Sequence, residues 1–355
     1  MPKSGNVKGN AIIHLILDTH RDRERQRRVG RMKEEQEMKS SSSNRMTQRG
    51  AIVALSYMVI AVLLVMFNKA ALSSYKFPCA NVLTVMQMIL STSVLFVLRK
   101  LDFIKFSDDS PNGKAAVKHF VPFRILRQIS PLSIAYLFYM VVGMASIRGV
   151  NVPMFTTLRR TTVFFTMIME FVLVGQRHSN PIILSVAIIV LGALIAGSRD
   201  LSFKLEGYSV VLLSNLTTAI YLATIARLGK TTGLNSFGLM WCNGLICGPI
   251  LILWILLSGE LKMALNFESI HVLGFQVVTA LSCMLAFCLN YTIFLNTTLN
   301  SALTQTMCGN LKDLGTVLFG WIWFGGLPFD WLNVLGQLLG FVGSGLYAYC
   351  KLKGK

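Results

Sequence analysis

The sequence predicts an all-α, polytopic membrane protein. Of its 355 residues, 53% are apolar and only 14% are charged, and the mean hydropathy is +0.57. Soluble domains carry about 25% charged residues, so the composition excludes a soluble globular enzyme. From residue 51 onward, apolar segments follow one another with short breaks. Ten of them have about the 20 residues that a helix needs to span a bilayer.

The polar segment 1–50 precedes the apolar segments. It contains 12 Lys and Arg residues against 6 Asp and Glu, and we predict a mostly disordered, basic cytosolic tail. Its short apolar run, 11–17, is followed by arginines and lacks the cleavage site of a signal peptide. The first membrane helix is therefore predicted to act as the uncleaved insertion signal.

The ten predicted helices form a membrane domain over 51–350, which a short cytosolic tail over 351–355 follows. The breaks between helices contain turn-forming residues such as Pro78 and Pro181. In chain order the predicted spans are 51–72, 77–98, 128–147, 152–174, 181–198, 208–226, 237–258, 271–295, 301–324 and 331–350.

The distribution of Lys and Arg predicts the orientation of these helices. With the N-terminus inside, the segments assigned to the cytosol hold 25 Lys and Arg residues and those assigned to the lumen hold 5. Because cytoplasmic loops are enriched in these residues, both termini are predicted to face the cytosol. Ten helices also divide into two units of five, and an odd-numbered unit duplicated in tandem inserts as a 5+5 inverted repeat.

The fourth and ninth helices correspond in such a repeat, and both carry cations inside an apolar segment. The fourth begins NVPMFTTLRRTTVFFTMIMEF and the ninth NSALTQTMCGNLKDLGTVLFG. Arg159 and Arg160 therefore match Lys312 across the predicted pseudo-twofold axis.

Lys312 is the residue around which the rest of the chain is predicted to be organised. A lysine near the bilayer centre costs about 2.5–3.5 kcal/mol on insertion scales, so we expect it to face a cavity and bind an anionic solute there. Gly309 and Asn310 precede it in the same polar half of the helix. The alternative is a salt bridge with an acid on another helix, since we expect the neighbouring Asp313 to point elsewhere.

Two adjacent arginines in the fourth helix point about 100° apart. We therefore expect one of Arg159 and Arg160 to face the cavity, while the other anchors the helix or pairs with Glu170 or a loop acid. Guanidinium groups bind phosphate oxygens in bidentate fashion. The alternative is that both side chains snorkel to the lumenal interface.

Further polar residues inside the apolar segments are candidates for binding a sugar or a base. Asn68 and Lys69 end the first helix, although Lys69 could equally snorkel to the interface. Asn243 lies beside a tryptophan in the seventh helix, and Asn215 lies with Tyr221 on a polar face of the sixth. Hydrogen bonds between helices would explain such asparagines as well.

Several other classes of function are not indicated. The seven cysteines form no CxxC pair and the five histidines are scattered singly, so no disulfide framework, metal site or cofactor is predicted. No nucleophile and base are spaced for catalysis, so we expect no enzymatic activity.

The net charge and the small-residue spacings bear on partners. The net charge of +18 reflects cytosolic segments, so no nucleic-acid partner is expected. GxxxG spacings at 244–248 and 336–340 predict close helix packing or, alternatively, a homodimer.

The stretches NVPMFTTLRR, LEGY and NSALTQTMCGNLKD resemble the nucleotide-sugar transporters of the drug/metabolite transporter superfamily, over about 51–350. The sequence is most similar to plant endoplasmic-reticulum transporters of UDP-N-acetylglucosamine and UDP-N-acetylgalactosamine. The resemblance implies that Lys312, supported by Arg159 or Arg160, contacts the diphosphate. It also implies that UMP is the exchanged nucleotide.

Departures from the motifs of related carriers weaken the case for a guanine nucleotide and favour UDP-sugars as the substrate. GDP-mannose carriers have Gly-Ala-Leu-Asn-Lys and Phe-Tyr-Asn-Asn motifs, where this chain has GNLKD at 309–313 and MWCN at 240–243. The pair Lys312-Asp313 also differs from the Lys-Arg pair of triose-phosphate carriers, which is evidence against a small sugar phosphate as the substrate. The alternatives are a carrier of UDP-glucuronate, UDP-xylose or a GDP-sugar, a plastid-type organic-phosphate antiporter, and a non-transporting membrane scaffold.

The C-terminal residues YCKLKGK predict the location. Lys351 and Lys353 have the spacing of the dilysine signal that coat proteins use to return membrane proteins to the endoplasmic reticulum. The expected location is therefore the endoplasmic-reticulum membrane, with the Golgi membrane as the alternative. The positive-inside rule alone would also place lysines here.

Overall fold

The computed structural model describes residues 47–106, 121, 123–148, 152–197, 205–324 and 331–354, and every regular element in these ranges is a helix. A π-helical turn, Ala70–Ser74, extends α1, and a short 3₁₀ helix, Glu268–His271, precedes α10. The α-helices are α1 Gln48–Lys69, α2 Ala80–Lys100, α3 Phe123–Arg148, α4 Val152–Arg159, α5 Thr162–Val174, α6 Asn180–Gly197, α7 Leu205–Thr231, α8 Ser236–Leu257, α9 Glu260–Leu265, α10 Leu273–Leu299, α11 Ala302–Phe324 and α12 Trp331–Lys353.

Seven of the described helices are long and apolar enough to cross a bilayer, so the chain is an all-helical, multi-pass membrane protein. All ten predicted segments coincide with a helix or a pair of helices in the structure, while the number of ten spans stays a prediction. The seven helical spans are Gln48–Ser74, Ala80–Lys100, Phe123–Ser146, Asn180–Gly197, Leu205–Thr231, Ser236–Leu257 and Leu273–Leu299.

Side chains at the helix ends explain several boundaries. The hydroxyl of Thr47 accepts a hydrogen bond from the Gly50 amide at 3.1 Å, and the side chain of Asn235 accepts one from the Gly238 amide at 3.0 Å. Both satisfy amides that the first turn of a helix leaves without a partner. Gly175 ends α5 with a φ of 73°, a left-handed conformation that glycine adopts at low cost.

The predicted single helix over 152–174 is wrong in one respect, because it consists of two helices. α4 ends at Arg159 and α5 begins at Thr162. Between them, the amides of Arg160 and Thr161 donate to carbonyl oxygens three residues back, at 3.2 and 3.0 Å. The turn is therefore tighter than an α-helix, a feature that often marks a functional position within a helix.

A contact from a distant helix supports this break. The Asn215 side chain of α7 donates to the Leu158 carbonyl oxygen at 2.9 Å and to the Thr161 hydroxyl at 3.0 Å. The Leu158 carbonyl oxygen also accepts hydrogen bonds from the Thr161 amide at 3.0 Å and hydroxyl at 2.8 Å, so the irregular backbone is fully bonded, as a membrane interior requires. Asn215 lies 57 positions from Leu158, so the pattern of the segment itself gives no sign of this contact.

By its internal contacts, Thr47–Ala348 forms one compact unit. Within it, α1 packs against α10 and α11, α3 and α5 pack against α7, and α2 packs against α8 and α10. Large apolar side chains such as Val59 and Trp254 are about 60% exposed on the outside, where a bilayer would cover them. Polar side chains are buried between the helices.

The GxxxG spacing of α12 serves packing within the chain. A Cβ atom on Gly192 of α6 would lie only 2.7 Å from the carbonyl oxygen of Gly336, and one on Gly340 would lie 3.0 Å from the Arg160 guanidinium. Gly244 of α8 likewise faces a side chain of α2 too closely for a Cβ. Backbones approach closely at these glycines. The homodimer stays a prediction.

The C-terminal residues from Tyr349 belong to a second unit by contacts. There the Lys353 ammonium lies 4.7 Å from the centroid of the Tyr349 ring, a cation–π contact. The predicted tail over 1–50 lies, as far as residue 46, outside the described residues. The predicted domain boundaries therefore stay predictions.

Candidate functional site

A cavity of about 400 Å³ lies inside the Thr47–Ala348 unit. Residues of α1, α2, α3, α4, α5, α7, α10 and α11 line it. The volume falls in the range of small-molecule sites, about 300–1,000 Å³. Its wall combines cations, one carboxylate, tyrosines and side-chain amides. The cavity is therefore suited to a solute with an anionic part and a planar polar part.

Lys312 and Asp313 of α11 both line this cavity. The ammonium nitrogen of Lys312 lies 3.1 Å from a carboxylate oxygen of Asp313, and their side chains are 16% and 32% exposed. The expectation that Asp313 points elsewhere is wrong, since the long, flexible stem of lysine lets its ammonium reach the adjacent residue. Gly309 and Asn310 line the same cavity one turn earlier, so the structure brings this predicted group together.

The two arginines at the helix break separate as expected. Arg159 lines the cavity with an exposed side chain, and its guanidinium lies 5.9 Å from the ring centroid of Phe155. Arg160 is only 5% exposed, and its guanidinium donates to the side chain of Gln337 on α12. The cavity therefore contains the side chain of Arg159, whereas that of Arg160 joins α12 to the break.

Glu170, one suggested partner for the second arginine, has a different role. Its carboxylate accepts hydrogen bonds from the backbone amides of Ala302 and Leu303, at 3.0 and 3.3 Å, and is fully buried. These amides begin α11, where the helix dipole favours a negative charge. Glu170 thus fixes the start of the helix that carries Lys312, and the suggested pairing with an arginine is wrong.

Four tyrosines line the cavity, namely Tyr57 of α1, Tyr136 and Tyr139 of α3, and Tyr221 of α7. The rings of Tyr139 and Tyr221 are stacked, with centroids 5.5 Å apart and an interplanar angle of 8°. Only Tyr221 was predicted from the sequence. The other three lie in segments that look simply apolar, although the spacing of Tyr136 and Tyr139 places them on one face of a helix.

The side-chain amides of the cavity fall into two groups. Four of them line it but are engaged: Asn215 with the helix break, Gln305 with Asn296 at 2.6 Å, Asn310 with the Arg160 carbonyl oxygen at 3.3 Å, and Gln87 with Asn68 at 3.0 Å. Asn290 of α10 also lines the cavity, and no hydrogen bond to its side chain occurs among the described residues. Asn290 therefore offers a donor and an acceptor to a bound solute.

Besides Arg160, three predicted residues lie outside the main cavity. Asn243 borders a side pocket of about 20 Å³, where it accepts a hydrogen bond from Ser133 at 3.2 Å. The side chain of Asn68 accepts a hydrogen bond at 3.0 Å from Gln87, which lines the cavity, and so helps to hold the cavity wall in place. Lys69 is exposed at the end of α1 and is not among the lining residues.

The tryptophan beside Asn243 belongs to the apolar core. The ring of Trp241 stacks with those of Phe96 and Phe106, at centroid distances of 6.1 and 5.6 Å, and is 5% exposed. It is therefore unavailable to a base in the cavity, contrary to the pairing with Asn243 that the sequence suggested.

Comparison with known proteins gives the family. The family model described as Triose-phosphate Transporter family matches residues 48–348. The chain belongs to this family. A relative in Arabidopsis thaliana, UDP-N-acetylglucosamine transporter UGNT1, is 61% identical over 310 residues, which are 87% of this chain and 90% of the relative. The resemblance to nucleotide-sugar transporters that the sequence predicted is thus confirmed.

More distant relatives of this chain are also named as nucleotide-sugar transporters. UDP-sugar transporter UST74c of Drosophila melanogaster is 33% identical over 85% of this chain and 78% of its own length. GDP-mannose transporter GONST2 of Arabidopsis thaliana is 26% identical over 86% and 80%. A crystal structure 10% identical in sequence matches with a TM-score of 0.57, over 86% of this chain and 98% of its own. At that identity the likeness shows the fold alone.

Proposed function

We propose that the chain is a nucleotide-sugar antiporter that carries UDP-N-acetylglucosamine, and UDP-N-acetylgalactosamine, into a secretory lumen in exchange for UMP. The observation that carries this proposal is a central cavity with Arg159 and Lys312 on its wall, in a chain 61% identical to a UDP-N-acetylglucosamine transporter. The relatives named above are transporters, and we propose no enzymatic activity.

The diphosphate of the substrate binds Lys312 and Arg159 in this proposal. The two side chains come from α11 and from the end of α4, and both line one cavity. A guanidinium fork and a compact ammonium are complementary donors for phosphate oxygens. Cations at this depth are costly unless an anion neutralises them, so a ligand with two phosphates compensates the cost of placing them there.

The base and the sugar occupy the tyrosine and amide side of the cavity. The stacked pair Tyr139 and Tyr221 presents ring faces and hydroxyl groups, and aromatic rings bind bases through stacking. The amide of Asn290 can donate to a carbonyl oxygen of uracil and accept from its ring N–H. We assign base recognition to Asn290 in place of Asn243, because Asn290 lines both the cavity and the side pocket, whereas Asn243 does not line the cavity.

We further propose transport by alternating access in a ten-helix 5+5 inverted repeat with both termini in the cytosol. The helix pairs support this repeat. In such a repeat α1 corresponds to α7, α2 to α8, α3 to α10 and α5 to α11. The contact of α3 with α7 then corresponds to that of α10 with α1, and the contact of α5 with α7 corresponds to that of α11 with α1. The pairs α2 with α8 and α5 with α11 are their own counterparts.

The proposed location is the endoplasmic-reticulum membrane, with retrieval by coat proteins through Lys351 and Lys353. Lys353 is exposed, whereas Lys351 is 3% exposed and lies within the last turns of α12. Recognition of both lysines therefore requires the end of this helix to open. The Golgi membrane is the expected location if retrieval does not occur.

Counterflow into proteoliposomes tests the proposed substrate. Vesicles containing the purified protein and preloaded with UMP, CMP or GMP receive radiolabelled nucleotide sugars from outside. We expect rapid uptake of UDP-N-acetylglucosamine with internal UMP and little uptake with internal GMP. Preferred uptake of a GDP-sugar or of an organic phosphate would refute the substrate, and no uptake of any solute would favour a membrane scaffold.

A further inference from the structure

The cavity contains an anion of its own at the proposed phosphate site. Asp313 lines the same cavity as Lys312 and Arg159, and a carboxylate oxygen of Asp313 lies 3.1 Å from the Lys312 ammonium. With 32% exposure, its side chain faces the space that a solute would fill. A phosphate that binds Lys312 must therefore approach a carboxylate at the same time.

The charges of the wall set a limit on the charge of the solute. Among the residues that line the cavity, Arg159 and Lys312 are the cations and Asp313 is the carboxylate, so the wall carries one net positive charge by this count. A UDP-sugar has about two negative charges, and a phosphate monoester such as UMP has about 1.5–2 at neutral pH. UDP and UTP carry more, because their terminal phosphate is not esterified.

We propose that Asp313 is a specificity-determining residue that discriminates against nucleotides with a free terminal diphosphate or triphosphate. This inference rests on the proposed function. Each additional negative charge on the solute is repelled by Asp313, whereas the two cations are already shared between Asp313 and the esterified diphosphate. Charge repulsion of this kind selects among solutes that have the same base. The site thus favours UDP-sugars and UMP over UDP and UTP.

Competition by a uridine series tests this role. UMP, UDP and UTP compete with labelled UDP-N-acetylglucosamine for uptake into UMP-loaded proteoliposomes, and the half-inhibitory concentrations are measured for the wild type and Asp313→Asn. At a separation of several ångströms inside a protein, removal of one unit charge changes the affinity for an additional charge by about tenfold or more. We therefore expect Asp313→Asn to lower the value for UDP about tenfold, and that for UTP by more, relative to that for UMP.

Two further variants separate charge from shape and from folding. Asp313→Glu keeps the negative charge and should keep the wild-type ranking of the three nucleotides. Glu206→Gln removes one negative charge from an exposed position in the first turn of α7, outside the cavity lining, and should also keep that ranking. Tighter binding of UDP by Asp313→Asn is a gain that misfolding does not produce.

The same ranking can be measured without transport, from the thermal stabilisation of the purified variants by UMP, UDP and UTP. A parallel shift of all three nucleotides in Asp313→Asn, or no shift, would overturn the role of Asp313. Absence of UDP-N-acetylglucosamine exchange by the wild type would count against the proposed function alone, because nucleotide binding still reports the ranking. If Asp313→Asn does not fold, Asp313→Ser provides the same loss of charge.

Discussion

Removal of the Lys312 ammonium should strongly weaken exchange. Lys312→Ala loses a charge-assisted contact with the diphosphate, which contributes about 1.5–3 kcal/mol. It also leaves Asp313, 3.1 Å from that ammonium in the wild type, unopposed beside the phosphates. With an effective dielectric constant of about 20, two unit charges about 6 Å apart repel each other by about 2.8 kcal/mol.

The repulsion from Asp313 acts in the wild type and in Lys312→Ala alike, so the loss in Lys312→Ala is that of the contact, and each 1.4 kcal/mol is about a tenfold change in affinity. We therefore expect Lys312→Ala to weaken UDP-N-acetylglucosamine binding about ten- to a hundredfold. The double variant Lys312→Ala/Asp313→Asn removes the repulsion, and should bind the substrate about a hundredfold more tightly than Lys312→Ala. The assay is concentration-dependent counterflow in proteoliposomes, with the amount of folded protein in each vesicle preparation as the control.

Two results would refute this reasoning. Normal exchange by Lys312→Ala would show that the ammonium does not contact the substrate. A double variant no more active than Lys312→Ala would show that the charge of Asp313 does not act on the phosphates. Lys312→Arg is a matched third variant that keeps the positive charge, and we expect it to be impaired because a planar fork does not replace a compact ammonium.

Other changes test the helix break, the base site and the location. Asn215→Leu removes the donor that bonds both the Leu158 carbonyl oxygen and the Thr161 hydroxyl, while the Thr161 amide and hydroxyl still donate to that carbonyl. The loss should cost about 0.5–1.5 kcal/mol of stability and lower the melting temperature; an unchanged melting temperature would argue against this contact. Asn290→Leu removes the amide donor and acceptor without adding a charge, and should weaken UMP competition about tenfold by loss of hydrogen bonds to the base, whereas equal competition would move base recognition elsewhere. Replacing Lys351 and Lys353 by serine should shift a tagged protein from the endoplasmic reticulum to the Golgi in fluorescence microscopy, and an unchanged distribution would mean that the lysines serve only orientation.

The helical segments could be predicted from the sequence because long apolar runs separated by Pro and Gly leave few alternatives. The break between Arg159 and Thr162 could not be predicted in this way, since threonines are acceptable inside membrane helices. At the break, the side chain of Asn215, a residue of another helix, bonds the Leu158 carbonyl oxygen and the Thr161 hydroxyl. Local patterns contain no information on such a contact.

The cations of the site could be predicted because charge inside an apolar segment is rare and costly. The aromatic part could not, because Tyr57 and Tyr139 come from helices far apart in sequence and each alone is unremarkable in an apolar segment. The contact of Asp313 with Lys312 could not be predicted either, because helix geometry fixes the Cβ directions of neighbours but not the reach of a lysine side chain. The structure supplies this 3.1 Å contact.

Coupled fluxes test the central claim most directly. Proteoliposomes loaded with ¹⁴C-labelled UMP receive ³H-labelled UDP-N-acetylglucosamine, and both isotopes are followed in the same sample over time. Obligatory antiport predicts that about one UMP leaves for each nucleotide sugar that enters, and that empty vesicles take up little of the sugar. Uptake that proceeds equally well into empty vesicles, or without release of UMP, would contradict the account.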